Sequence, residues 1–336
     1  MRPAGWFAQD GTGASERVID WGVKAEEFGF DAVFVGDRLL SEGRSSDRVV
    51  YGAAMLDPFI VLTAIAARTQ RIGLAPLVAV VPFRHPAYLA KMTASLDIVS
   101  GGRFILGAGA GWSDPELQMF GVDRKTRGVQ MEEGIDLVRR LWTGEPVDAQ
   151  GRFWTLDGVR VLPTPIQRPG PPVWLGSFSP DDERLWVHGD TGGHARTLAR
   201  VGRIANAWVP LTYSAGYMTQ LSPSMLADSW AHIAGGAEAA GRDPDDVEII
   251  YAHWVAIVRN AEERRTCEAA LARYFHGDYE EARKTYLIGT PEEIAEAVVE
   301  HTSKLDRVDG YLFTPIDDSP SQLAAVASEL RPLLPA

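Results

Sequence analysis

The stretch Gly107-Ala108-Gly109-Ala110-Gly111-Trp112 is the most chemically suggestive in the chain. Glycine at every second position lets a backbone approach a flat ring or a phosphate with no Cβ in the way. A tight strand exit that needs glycine only for its turn would read the same. A dinucleotide-binding fingerprint is excluded, because the third glycine falls one residue early and no acidic residue ends a strand about 20 residues further on. Two charged pairs follow predicted strands, Asp37-Arg38 and Arg84-His85. Asp37, Arg38 and His85 are candidate catalytic residues. The alternatives are a strand-end ion pair for the first two and a helix-entry residue bonding nearby backbone for His85. Gly192-Gly193-His194 opens a helix carrying Arg196, Arg200 and Arg203. Free N–H groups and the positive end of the helix dipole would suit an anion there, and a solvated cationic face is the plain alternative.

Other chemistries lack their residues. The seven histidines include no His-x-His pair and no His-Glu-x-x-His, so no metal site is expected. Neither a Gly-x-Ser-x-Gly elbow nor a phosphate-cradling Walker loop occurs. The net charge of −12 argues against nucleic acid, whose binders carry a basic footprint. Any anionic cofactor must then be met by a local basic patch. The longest apolar run, Ile72 to Phe83, contains Gly73, Pro76 and Pro82 and is well short of the roughly 20 residues of a membrane-spanning helix. The start of the chain lacks the apolar core of a signal peptide. Cys267 is the single cysteine, which excludes an internal disulfide and fits a reducing compartment. A cytoplasmic protein with no membrane partner is expected.

The elements that must position these residues alternate between short apolar runs and amphipathic helical stretches, the pattern of a parallel sheet with crossover helices. Eight strands are predicted, at Gly5–Ala8, Asp31–Val35, Ile72–Val80, Arg103–Leu106, Val173–Leu175, Ala207–Pro210, Val247–Ile257 and Gly310–Phe313. Between them, Gly29 suits a left-handed helix end, Asp57-Pro58 an N-cap with proline behind it, and Thr290-Pro291-Glu292-Glu293 a capping box. Ser319-Pro320-Ser321-Gln322 caps a last helix in the same way. Residues 146–162 alternate around Asp157-Gly158 and predict a β-hairpin excursion. Residues 177–193 form an insertion after the fifth strand. The fold class is α/β, a single (β/α)₈ barrel over residues 1–336 with insertions on its carboxyl-terminal face, where the strand ends converge on a site. Trp6, Phe7, Trp112, Trp154 and Trp186 are candidates for an apolar lining, with core packing as the alternative.

Taken together these segments resemble the bacterial luciferase-like monooxygenase superfamily. The resemblance rests on residues 25–37 (AEEFGFDAVFVGD), on Pro82-Phe83-Arg84-His85-Pro86 with Ala90-Lys91, and on residues 96–112 (LDIVSGGRFILGAGAGW). Gly151-Arg152-Phe153-Trp154 and Pro163 to Pro169 extend it. It implies a ring system lying across the strand ends, with a non-proline cis peptide at Leu77-Val78 behind the ring. Gly107, Gly109, Gly111 and Trp112 would border the ring, with Phe7 also counted among the cofactor contacts. The cofactor phosphate would lie at Gly176-Ser177 or at Gly192-Gly193-His194, with Arg196 suiting an anionic tail. Many relatives carry histidine where Arg38 stands, and the sugar-phosphate dehydrogenases place a glutamate acid where Trp112 stands, so sugar-phosphate oxidation is not expected. Arg38 would instead stabilise an anionic reduced ring or a carbonyl-bearing substrate. The implied activity is hydride transfer from reduced coenzyme F420 to a small organic molecule. The alternatives are an FMN-dependent monooxygenase fed by a separate reductase, and a non-catalytic flavin-binding barrel. A homodimer is the expected assembly.

Overall fold

The structure is a computed structural model in which residues 14–39, 55–177, 182–214, 216–274, 278–317 and 319–335 are described. The predicted strand at Gly5–Ala8, with Phe7 and Trp6, lies outside them. Helix α1 (Ala14–Glu27) leads through Gly29, at φ 74°, into strand β1 (Ala32–Val35). Helix α2 (Pro58–Ala66) starts where Asp57 accepts the Phe59 and Ile60 N–H groups. Strands β2 (Gly73–Pro76) and β3 (Ala79–Val80) flank a cis Leu77-Val78 peptide, as the resemblance implied. Helix α3 (Pro86–Ser100) ends at Gly101, also left-handed at φ 70°. Strand β4 (Leu106–Gly109) and helices α4 (Asp114–Met119) and α5 (Arg127–Trp142) come next, then the hairpin β5 (Val147–Gln150) and β6 (Thr155–Val159).

Strand β7 (Val173–Ser177) precedes helices α6 (Glu183–Trp186) and α7 (Ala195–Ile204), and strand β8 (Ala207–Pro210) precedes a small ribbon of β9 (Tyr213–Ser214) and β10 (Thr219–Gln220). Helix α8 (Pro223–Ala239) returns the chain to the ten-residue strand β11 (Glu248–Ile257). Helices α9 (Ala261–Tyr274) and α10 (Tyr279–Thr285), strand β12 (Leu287–Gly289), helix α11 (Pro291–Thr302), strand β13 (Gly310–Pro315) and helix α12 (Pro320–Ala325) complete the chain.

The wall is parallel throughout. β1 pairs with β2, β3 with β4, β4 with β7, β7 with β8, β8 with β11 and β11 with β13, and a bridge from Leu74 to Phe104 joins β2 to the approach of β4. Strand neighbours in space are thus neighbours in sequence with helices between, which is the (β/α)₈ barrel. Inside, Phe34, Ala75, Ala207, Val209, Ile250 and Leu312 form a buried cluster with Ile105 and Trp174 against it, taking alternate residues from successive strands.

Several boundaries differ from the sequence reading. The fourth strand runs Leu106–Gly109, so Gly107 and Gly109 lie within it rather than after it. The fifth reaches Ser177. The third is split at Leu77-Val78. The hairpin exists, but its turn is at residues 151–154; Gly158 lies inside β6 at φ 57°. The turn is placed by Glu133 of α5, whose carboxylate accepts the N–H groups of Arg152, Phe153 and Trp154. β12 was not foreseen; it pairs with the far end of β11 at Val255–Ile257.

Three residues of the resemblance motifs fasten the amino-terminal end of the barrel. Glu26 accepts the N–H groups of Gln70, Arg71 and Ile72 at 3.0, 2.6 and 2.8 Å. Burial pushes its carboxyl up, but these bonds outweigh that and leave it below the ordinary range. Fully buried Asp97 accepts the Ile166 and Gln167 N–H groups at 2.6 and 3.0 Å and the Gln167 side-chain amide at 2.6 Å. Arg103 donates to the carbonyls of Ala66, Thr69, Ile72 and Ser100.

His253 of β11 is 2% exposed. It packs against Tyr213, Tyr251 and His301, and its Nε2 has no hydrogen-bond partner. Burial, and secondarily His301, push its imidazole down to about 3. The unfolded chain takes up the proton near pH 6.5 and the native state does not, so stability present above pH 6.5 is lost on acidification. One such group contributes a slope of about 1.4 kcal/mol per pH unit. Urea midpoints should therefore fall between pH 6 and 4, and His253→Phe should flatten that slope by one proton's worth. Equal slopes for variant and parent would refute this account.

Candidate active site

The interior columns change character toward the carboxyl ends of the strands. β4 continues from Ile105 to Gly107 and Gly109, and β7 from Trp174 to Gly176, so side-chain filling stops there. What fills the gap first is the neighbouring strand. A Cβ on Gly107 would lie 2.0 Å from the Pro76 carbonyl oxygen, one on Gly109 2.3 Å from Val78 Cγ2, and one on Gly176 3.3 Å from Val78 Cγ1. The glycines thus make room for the Leu77-Val78 segment, and Leu77, Val78 and Gly176 stay partly exposed as an apolar shelf. Gly111, at φ 79°, turns the chain out of β4.

At one edge of the shelf, Asp37 and Arg38 leave β1. Asp37 accepts from Arg84 at 2.5 and 3.1 Å and from the Val80 N–H at 3.0 Å, so it braces β1 to the chain after β3. His85, a separate candidate in the sequence, is exposed and caps α3, its Nδ1 accepting the Ala87 N–H at 3.2 Å. Arg38 stands apart from both. Its guanidinium lies 4.6 Å from the centre of the Trp112 ring, and its Nε lies 3.7 Å from Oε1 of Glu116. Glu116, buried at the start of α4, also accepts the Leu39 N–H at 3.0 Å. The sequence reading did not single out Glu116. It stands in the surface-like run Ser113-Asp114-Pro115-Glu116, and only the tertiary approach of Arg38 gives it a role.

A second edge is cationic. Arg127, at the start of α5, donates from Nε to the Gly111 carbonyl at 2.9 Å, and Arg124 donates to the Trp112 carbonyl at 3.1 Å and to Asp114 at 2.6 Å. Arg200 and Arg203 of α7 both hold Glu132 at 2.8 Å. Burial raises the Glu132 carboxyl, but bonds from Arg203 and Arg200 outweigh it and keep it below its ordinary range. Burial, and then Arg124 and Arg200, hold the Arg127 guanidinium below its usual value. Four guanidiniums therefore gather around two carboxylates beside the glycine run, in a chain whose net charge is −12.

The other predicted binding residues are not brought to that cluster. Ser177 is buried and its Oγ accepts the Trp208 indole N–H at 2.6 Å. Gly192 donates its N–H to Asp190 at 2.8 Å, and Gly192, Gly193 and Arg196 are exposed. His194 is buried with Nε2 3.1 Å from Asp182; burial lowers its pKa although Asp182 pulls the other way. Of the candidate lining tryptophans, Trp186 is buried in the main core and Trp154 packs against that core. Among the described residues no group of three or more His, Cys, Asp or Glu could hold a metal, and no helix is long and apolar enough to cross a membrane.

With this geometry established, the chain can be placed among known proteins. Residues 3–189, more than half of the sequence, match the luciferase-like monooxygenase family, and the chain belongs to it. It is 29% identical to an F420-dependent glucose-6-phosphate dehydrogenase of Nakamurella multipartita, over 71% of this chain and 62% of that protein. It is 31% identical to the oxygenase component of a flavin-dependent trigonelline monooxygenase of Acinetobacter baylyi, over 39% of this chain and 37% of that one. The matches thus span less than two thirds of those relatives. Among solved structures, a monooxygenase from Streptomyces bottropensis superimposes with a TM-score of 0.74 at 25% identity, covering 96% of this chain and 95% of that one. The dehydrogenase and the trigonelline enzyme are named for an F420-dependent and a flavin-dependent activity.

Proposed function

We propose that this chain transfers hydride from reduced coenzyme F420 to a small unsaturated or carbonyl compound. The observation that carries the reading is the cationic edge at Arg124, Arg127, Arg200 and Arg203, built beside the glycine run of an acidic protein. It suits a coenzyme that combines a flat ring with a polyanionic tail. The residues at the strand ends fit such a group: Leu77, Val78 and Gly176 offer an apolar surface to one ring face, and Gly107 and Gly109, by lacking a Cβ, let the Leu77-Val78 segment sit close behind that surface. Arg127 would meet the phosphate, with Arg124 and Arg200 adding charge. Reduced F420 would supply the hydride. The chain would orient it, exclude water, and set the Arg38 guanidinium where negative charge develops on the substrate.

Glucose 6-phosphate is not the substrate in this reading. Trp112 stands in place of the acid of the sugar-phosphate dehydrogenases, and Arg38 in place of the usual histidine. A two-component FMN monooxygenase is the second reading, favoured by the likeness to the trigonelline enzyme. Titrating the purified protein with F420 and with FMN, followed by tryptophan fluorescence, separates the two. F420 should bind at least tenfold tighter, a difference of about 1.4 kcal/mol, and Arg127→Ala should weaken F420 roughly tenfold. Tighter binding of FMN would overturn the proposal in favour of the second reading.

A further inference from the structure

The contact of Arg38 with Trp112 and Glu116 joins the end of β1 to the segment after β4. The Arg38 and Glu116 side chains are 8% and 5% exposed. A pair this buried is not there for stability alone, since apolar side chains of the same volume serve as well or better. Its position is also telling. Ala32 and Phe34 belong to the interior cluster, so alternation along the same column carries Arg38 to the mouth above them. We propose that Arg38 and Glu116 form a recognition site for the oxygen of a neutral carbonyl group on a planar substrate, and that Glu116 is the positioning residue that discriminates against carboxylates. The inference deepens the proposed function and relies on it only for where the substrate lies.

The discrimination follows from charge. A lone arginine prefers carboxylates, whose two oxygens match its fork of donors. Here the guanidinium is already balanced by a carboxylate whose Oε1 lies 3.7 Å from its Nε. An incoming carboxylate would bring a second negative charge close to Glu116 in a poorly solvated site, where like charges repel strongly. A ketone, enone or amide oxygen meets no such repulsion and accepts a charge-assisted hydrogen bond from the same guanidinium. The neighbouring charges do not alter the balance, because Asp37 is held by Arg84 and Asp114 by Arg124. Trp112, stacked on the guanidinium, adds an aromatic wall on which a planar group can lie.

Benzamide and benzoate differ little in shape and by one charge, so they serve as probes. Calorimetric titration of the full chain without coenzyme should show benzamide binding at least tenfold tighter than benzoate. Glu116→Gln should invert the order, with benzoate at least tenfold tighter, and Arg38→Met, which removes the donor and leaves the Glu116 carboxylate in place, should weaken benzamide at least tenfold. A wild-type protein that prefers benzoate, that binds neither probe at millimolar concentration, or whose preference survives Glu116→Gln would overturn the proposal. If Glu116→Gln does not fold, the wild-type ratio still decides. Because the measurement needs no F420, failure of the coenzyme assignment shows up in the F420 titration and not in this one.

Discussion

Replacing Gly107 with alanine should destabilise the barrel by about 3 kcal/mol or more, at or beyond the upper end of what an overfilled core ordinarily costs. The added Cβ would stand 2.0 Å from the Pro76 oxygen and 3.2 Å from its carbonyl carbon, both backbone atoms. No side-chain rotation can relieve that contact, so β2 and β4 would have to part. Gly235, exposed within α8 with nothing inside 4 Å of its would-be Cβ, is the matched control. Alanine there should stabilise by roughly 0.5–1 kcal/mol, because glycine in a helix interior costs that much. Urea unfolding followed by circular dichroism measures both. A Gly107→Ala protein with the midpoint of its parent would show that the strands approach less closely than described.

Asp97→Ala is the second large effect, expected at about 4 kcal/mol from three donors that lose their acceptor at ~1–3 kcal/mol each. Its carboxylate is fully buried and takes the Ile166 and Gln167 N–H groups together with the Gln167 amide. Gln167 also donates to the Phe104 carbonyl at 2.7 Å, so the loss would propagate to the start of β4. Asp97→Asn keeps one acceptor oxygen and should recover part of the difference. Similar midpoints for the alanine variant and its parent would mean that water replaces the carboxylate at no cost.

Much of this was legible in the sequence where the signal is local. Thr290 does accept the Glu293 N–H while the Glu293 side chain accepts the Thr290 N–H, because a capping box is written within four residues. Ser319, Asp57 and Gly29 act as expected for the same reason. The hairpin turn was misplaced onto Asp157-Gly158 because its true position is dictated by Glu133, a helical residue distant in sequence. β12 escaped notice because three residues carry no periodicity, and only the unpaired far end of β11 calls for them. At the site, Arg38 was recognisable by its place at a strand end, whereas Glu116 was not, since nothing near it in sequence marks a buried carboxylate. The arginines of α7 were seen as a group, but their sharing of Glu132 depends on how α7 packs on α5.

The fasteners Glu26, Asp97 and Arg103 all lie where strands begin, and Arg38, Trp112 and the cationic edge all lie where strands finish. Durability and selectivity are therefore encoded at opposite poles of one cylinder. A combinatorial library confined to the second pole, with Gly107, Gly109 and the Asp37–Arg84 brace held fixed, leaves the fasteners of the first pole untouched. New substrate ranges should be reachable from this chain without prior thermostabilisation.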